Sequence, residues 1–404
     1  MRRSMLFFLC IASFLVTTGC WNRTELDTLG IAAALGIDKL SEQEYLVSVQ
    51  IVNPVAISSK KGTGEAPVYV VEERGKTIQE ALRRMTTQIP RKVYLAHLRM
   101  VVFGEDVARG GLVDIIDFLV RDHEMRGDTF MVIAEQGRAN KILGIIPRLE
   151  EVPANKLFKS IEMSQANWAP TIGVHLDNFI KGAISLGRQP VATGVKIIGA
   201  PEAGTSIDMY KKTFRVPYIK IPSIAVFKKD KLIGYLNESE SKGYNYILNT
   251  VKSTIGVVSC KDGNATLEII HSGTKMKGKV VNGKPEIHIY NEIETKISEI
   301  NCKVDLADKD VIMNLEQKGS ETISRVLHST VVAAQKKYNS DILGFGNAIR
   351  RADHKYWKKN ARHWDDIFPT LKVIIHVNVH IKEIGTQVNS MKWRYEEQLR
   401  EVQS

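Results

Sequence analysis

The chain has 404 residues, 44% hydrophobic and 25% charged, with a formal net charge of +11. That is the make-up of an ordinary globular protein with room for two or three cores, and it excludes a low-complexity chain. After the first twenty residues no run approaches eighteen consecutive apolar residues, which excludes a helical multi-span membrane protein.

The N-terminus carries a leader pattern. Arg2 and Arg3 precede the apolar run Met5 to Val16, broken only by Cys10 and Ser13, and small residues Thr17, Thr18 and Gly19 lead to Cys20. As a helix, the run to Cys20 would cover about 24 Å against a hydrocarbon core of roughly 30 Å, too short for a stable span. Small residues before a cysteine resemble the lipobox of bacterial lipoproteins, in which the thiol is acylated and the cut falls before it. Residues 1–19 are therefore expected to be a signal peptide and Cys20 the lipidation site. Thr17 departs from the Leu usual at that position. Two acyl chains would hold the body durably at a membrane. For an exported protein, a positive charge points to anionic lipid or cell-wall polymer, and no nucleic acid is expected.

After Trp21 to Leu29, a short helical candidate, residues 30–37 and 45–52 read as strands, and a Lys, Gly and Ser loop follows at 58–67. Strand, helix, strand, helix, strand then alternate to residue 135, the order of a layered α/β region. A helical, proline-punctuated stretch runs from Ala139 to Leu186. The expected boundaries are an N-terminal region at 20–190, a linker at 191–217 where turn residues crowd, a C-terminal domain at 218–388 and a polar tail at 389–404.

The second half changes style. Asp262-Gly263 and Asn282-Gly283 sit between strand-like runs as type I′ hairpin signals. Ile287, Ile289, Ile293 and Ile297 predict a half-buried strand, and Leu371 to Ile381 alternate in the same way. Between them, Ile323, Val326, Leu327, Thr330, Val331 and Ala334 mark one amphipathic helix. Trp357, Ala361, Trp364 and Phe368 mark a second, ended by Pro369. The fold class is therefore α+β and multidomain: a mixed α/β N-terminal region, then an antiparallel sheet with helices. Cys260 and Cys302 fall at strand ends; whether they pair is open, and pairing would add about 4 kcal/mol on the chain-entropy estimate.

Chemistry is sparse. On a strand, His376 and His380 would share a face about 13 Å apart, too far to hold one ion. His363, Asp365 and Asp366 flank an apolar stripe and read as solvated. Ser272 and Lys275 match a Ser-x-x-Lys spacing without the helix start or companion boxes that chemistry needs. Gly344-Phe345-Gly346 lacks the strand and third glycine of a nucleotide loop and reads as a turn between helices. No catalytic residue, cofactor or metal is expected. From Arg350 to Arg362, six Lys or Arg stand against one Asp, and Arg351, Lys355, Lys358, Lys359 and Arg362 form a basic face suited to a membrane or acidic partner.

These residues resemble the Ger(x)C lipoproteins, C subunits of the nutrient germinant receptors of endospore-forming bacteria. The likeness rests on Gly19-Cys20-Trp21-Asn22 with Glu25 and Leu26, then Ala34, Gly36, Ile37 and Asp38. It returns in Asp341-Ile342-Leu343-Gly344-Phe345-Gly346 and closes with Trp357, Trp364, Phe368 and the strand running to Gly385. The resemblance implies three mixed domains and a lipid-anchored, non-enzymatic subunit on the outer face of the spore inner membrane. It implies assembly with two integral-membrane partners, the A and B subunits, one permease-like and nutrient-sensing, the other an ion path. Only the lipid acceptor carries over as a functional position, onto Cys20. The alternative expectation is a solute-binding lipoprotein of a membrane transporter, disfavoured because the second half lacks the pattern of an α/β lobe.

Overall fold

The computed structural model describes residues 25–58, 65–147, 150–206, 216–385 and 389–403. Cys20, on which the lipid expectation falls, lies outside them.

The first region runs β1 (Leu29–Ser41), β2 (Glu44–Val52), α1 (Pro54–Ser58), β3 (Val68–Gly75), α2 (Ile78–Arg84), β4 (Lys92–Tyr94) and β5 (Met100–Gly104). It continues through α3 (Glu105–Gly110), α4 (Val113–Arg121), β6 (Phe130–Ala134), α5 (Ala139–Gly144), α6 (Pro153–Asn167), α7 (Leu176–Ala183), β7 (Val191–Ile198), β8 (Tyr218–Lys228) and β9 (Lys231–Leu236). Its sheet has the order β3-β2-β1-β5-β6-β7-β8-β9, with β4 also on β1. A parallel centre, β1-β5-β6-β7, is flanked by antiparallel pairs on either side. The apolar runs of β5 and β6 are buried along their whole length because helices cover both faces. Val101, Phe103, Met131 and Ile133 enter one cluster; Met100, Val102, Val132 and Ala134 enter another on the opposite face.

Two helices, α3 and α4, stand where the strand-helix alternation predicts a single second one. Gly111 breaks the run with φ at +118°, a conformation that only glycine adopts cheaply. The linker expected at 191–217 begins instead with β7, a strand inside the sheet, and the sheet continues to Leu236. Glycine density misled here. Gly194 is a strand residue whose missing Cβ lets β7 approach β8: a Cβ there would lie 3.1 Å from the Ser223 carbonyl oxygen.

The second region holds α8 (Glu238–Ile247), β10 (Thr254–Cys260), β11 (Gly263–Val281), β12 (Lys284–Ile300), α9 (Lys309–Val332), α10 (Phe345–Ala352), α11 (His354–Asn360), α12 (Trp364–Ile367), β13 (Lys372–Glu383) and α13 (Met391–Gln403). The four strands stand in sequence order. β10, β11 and β12 are antiparallel, whereas β13 joins β12 in parallel because the helical crossing between them returns the chain to the end where β12 began. The expected antiparallel sheet thus ends on one parallel pair. Asn282 and Gly283 both take positive φ, 52° and 75°, and close the β11-β12 hairpin as expected of a type I′ turn. At the other hairpin the turn falls one residue earlier, on Lys261 and Asp262, since Cys260 pairs with Gly263. Gly263 is needed there for space: a Cβ would sit 2.8 Å from the Asn301 carbonyl oxygen.

One face of this sheet packs on α9. Ile287, Ile289, Ile293 and Ile297 of β12 are buried, as are Ile323, Leu327, Thr330, Val331 and Ala334 of the predicted helical stripe. Asp308 caps α9, its carboxylate accepting the Asp310 N–H at 2.9 Å. The second predicted helix is segmented: α11, which Asp353 caps by accepting the Tyr356 N–H, gives way to a 3-10 turn at Ala361–His363 before α12, yet Trp357, Trp364 and Phe368 are all buried. Cys260 and Cys302 are bridged, with Cα atoms 6.1 Å apart across 42 residues. The expected polar tail, residues 389–404, carries α13. Ser390 fixes its start, donating to the Cys302 carbonyl at 2.7 Å and accepting the Trp393 N–H at 3.1 Å. One contiguous apolar cluster joins the first region to the second, from Leu35 and Phe103 to Leu327 and Trp364.

A buried aspartate node and an exposed basic face

The segment Ser340 to Gly346 follows a π-helical turn, Ala333–Lys337, at the end of α9. That turn swings the Gln335 amide inward, where it donates to the carbonyls of Phe368 at 2.9 Å and Leu371 at 2.8 Å. Asp341 then points into the core. Its Oδ1 accepts the Phe345 N–H at 2.9 Å; its Oδ2 accepts the Gly346 N–H at 2.7 Å and the Trp364 indole N–H at 2.9 Å. The carboxylate thereby caps α10, which Gly344 opens with φ at +74°. Burial pushes the Asp341 carboxyl up to about 6 even though those N–H groups pull the other way.

The same node ties the two regions together. The Asp341 carbonyl accepts the Gln189 N–H at 2.8 Å, and the Gly187 carbonyl accepts the Asn347 N–H at 3.1 Å. A Cβ on Gly346 would lie 2.7 Å from the Gly187 Cα and 2.8 Å from the Trp357 ring, so no side chain fits. Trp357 and Trp364 meet edge to face, with ring centroids 5.3 Å apart. Sequence reading found this motif as a resemblance and a turn; it did not find that its aspartate is the acceptor for the tryptophan. Nor did it single out Arg188, whose guanidinium donates to the buried Tyr244 hydroxyl at 3.0 Å beside this node.

A second junction holds the N-terminal motif. Asp38 is buried at the end of β1 and accepts the N–H groups of Ala139 at 2.7 Å and Asn140 at 3.0 Å, capping α5 from a distant strand. Burial raises its carboxyl above the usual range, against those two bonds. Gly36 lets the same helix close in: a Cβ there would sit 2.8 Å from Leu143 Cδ1.

Arg351, Lys355, Lys358, Lys359 and Arg362 are all exposed, and none has an ion-pair partner among the described residues. Arg351 belongs to α10 and the others to α11 and the turn after it, so the face spans a bend rather than one straight helix. Neighbouring Lys228 does pair with Asp365, at 3.4 Å.

The remaining candidates separate. His376 stacks on Tyr290 at 4.8 Å, and His380 lies 3.7 Å from Glu292. His363 faces Asp366 at 3.8 Å on the exposed surface. Ser272 pairs with buried Ile293 and Lys275 with Tyr290, so register puts them on opposite faces of β11 and they cannot act together. Among the described residues no group of three or more His, Cys, Asp or Glu side chains gathers in metal-holding geometry, and no described helix is long and apolar enough to cross a membrane.

A two-sheet α+β protein whose halves are latched by a buried Asp-Trp node is the class these features define. The family described as spore germination protein N-terminal domain matches residues 22–197, and the family described as spore germination B3/GerAC like, C-terminal, matches residues 223–385. The chain belongs to the Ger(x)C family of spore germination proteins. It is 29% identical to spore germination protein KC of Bacillus subtilis (strain 168) over 98% of this chain and 99% of that protein. Spore germination protein B3 of the same organism is 25% identical, over 95% and 97% of the two chains. The crystal structure of the GerBC protein shares the fold, with a TM-score of 0.56 at 20% identity over 86% of this chain and 96% of that one. The role is in spore germination.

Proposed function

We propose that this chain is the lipid-anchored, non-enzymatic subunit of a nutrient germinant receptor, needed for the receptor's assembly or for the signal that starts germination. The observation that carries this reading is the pair of germination-family matches, which together cover both regions and the node that latches them. In this reading acylated Cys20 holds the body on the outer face of the spore inner membrane, beside the integral-membrane A and B subunits. The unpaired basic face from Arg351 to Arg362 meets anionic headgroups or an acidic surface of those partners, a contact whose strength falls with salt. The buried node then serves as a rigid bracket that keeps that face in a fixed position relative to the first sheet.

The test is genetic and chemical. Deletion should leave sporulation intact and slow germination to particular nutrients, and Cys20→Ala should lose labelled palmitate and give the same defect. Normal germination of the deletion strain in every nutrient mixture would overturn the role; an unlabelled wild-type chain would overturn the anchor. Lys358→Glu with Lys359→Glu should weaken co-purification with the membrane partners while leaving the fold unchanged by circular dichroism.

A further inference from the structure

A cleft of about 360 Å³ lies where α7, β7, α8 and the start of α10 converge. Its apolar wall includes Ile172, Val174, Pro190 and Val191; its polar groups include Arg188, Lys181 and Asn347. Arg188 is built into place. Its stem lies over Gly344, with Cδ 3.4 Å from where a Cβ would stand, and one guanidinium nitrogen donates to the hydroxyl of fully buried Tyr244. Among the described residues that is the guanidinium's sole hydrogen bond; Asp341 acts on it only through its field, the three N–H donors at that carboxylate being Phe345, Gly346 and Trp364. Arg188 lines the cleft, and its guanidinium is a planar fork of donors suited to a carboxylate.

The sign of the lining narrows the ligand. Two cations line the cleft and no Asp or Glu does, although Lys181 is itself held by Asp177 at 2.9 Å on the exposed rim. A carboxylate would therefore find Arg188, whereas the ammonium of a zwitterion would lose its water with no counter-charge in return. The larger groove of about 670 Å³ between α2 and α4 differs, because it is lined by both signs of charge, Asp114 and Asp122 among them, and two of its cations are already paired, Arg121 with Asp117 at 2.6 Å and Lys92 with Glu124 at 2.5 Å.

We propose that the Arg188 cleft is a binding site for a small organic monocarboxylate with a compact branched or straight apolar tail, and that it discriminates against the corresponding amino acid. The head sits on the free edge of the guanidinium and the tail lies on Val174, Pro190 and Val191. Asn347 contacts the same site one residue after Gly346, so occupancy bears directly on the bracket between the two regions. This inference concerns the chain alone and stands apart from its partners.

The experiment is calorimetry on the full-length chain in detergent micelles at low salt, titrated with 3-methylbutanoate, with valine and with neutral 3-methylbutanamide. Saturable binding of the acid is expected, at least tenfold tighter than valine or the amide. Arg188→Met, which keeps the stem, should weaken it at least tenfold, and Tyr244→Phe about threefold, by freeing the guanidinium from its anchor. Nuclear magnetic resonance of the wild-type Arg188 Nε–H, which needs no variant, should shift along the same saturation curve. Absence of saturation by about 20 mM acid, valine binding as tightly, unchanged affinity in Arg188→Met, or a stationary Arg188 resonance would each overturn the site.

Discussion

The two sheets bury their strands differently, and the contrast explains how each is held. In the first, helices lie on both faces, so β5 and β6 are apolar at every position and no covalent tie supplements their burial among the described residues. In the second, one face packs on α9 while the other presents His376, Asn378, His380, Lys277 and Glu292 to solvent. A sheet covered on one side removes less apolar surface from water per residue. The second region adds a covalent tie, Cys260 to Cys302, and the hydrogen-bonded start of α13 beside it. Stability is thus bought with burial in one half and with cross-links in the other.

The largest expected effect breaks the first sheet: Phe103→Ala, at a fully buried site, should cost about 3–5 kcal/mol in denaturant unfolding. Replacing both Cys260 and Cys302 by Ser, or reducing the bridge, should cost about 4 kcal/mol and loosen the second region first in hydrogen exchange. Equal exchange in both regions after reduction would remove the contrast. A smaller effect tests the bracket between them. The Asp341 carboxyl, raised to about 6 in the folded chain, takes up a proton there before it does in the unfolded chain, so the folded state gains as pH falls. Between pH 7 and pH 5 the wild type should gain about 1 kcal/mol relative to Asp341→Asn. A difference that is flat, or that reverses, over that range would show that the carboxyl is not raised. The smallest change expected is at the open face, where His376→Ala should stay within about 0.5 kcal/mol.

Legibility followed the same division. The second sheet could be read strand by strand because half-covered strands alternate: the four isoleucines of β12 are buried as their spacing predicted, and Asn282-Gly283 turns as its positive φ requires. The doubly covered centre of the first sheet carries no alternation to mark its limits, and β7 hid in a stretch where turn residues crowd, although Gly194 there makes room for β8. The basic residues from Arg351 to Arg362 were legible as exposed charges, but the bend at Asp353 was not, since it depends on which N–H that carboxylate accepts. Arg188 gave no signal at all. Its partner Tyr244 is 56 residues away, and proximity at that distance exists only after both halves have folded.

What the order of residues determined by itself was local: periodicities of two and of 3.6, the turn glycines, the small residues ahead of Cys20 and a net charge that must lie on the surface. Those are properties of neighbours along the chain, which share dihedral preferences and solvent. The tertiary structure alone decided that Asp341 would receive the Trp364 indole, that Asp38 would cap a helix a hundred residues on, and that a lone arginine would face a cleft without a carboxylate. Each joins groups from separate elements, and their energies depend on burial and geometry that no single segment possesses.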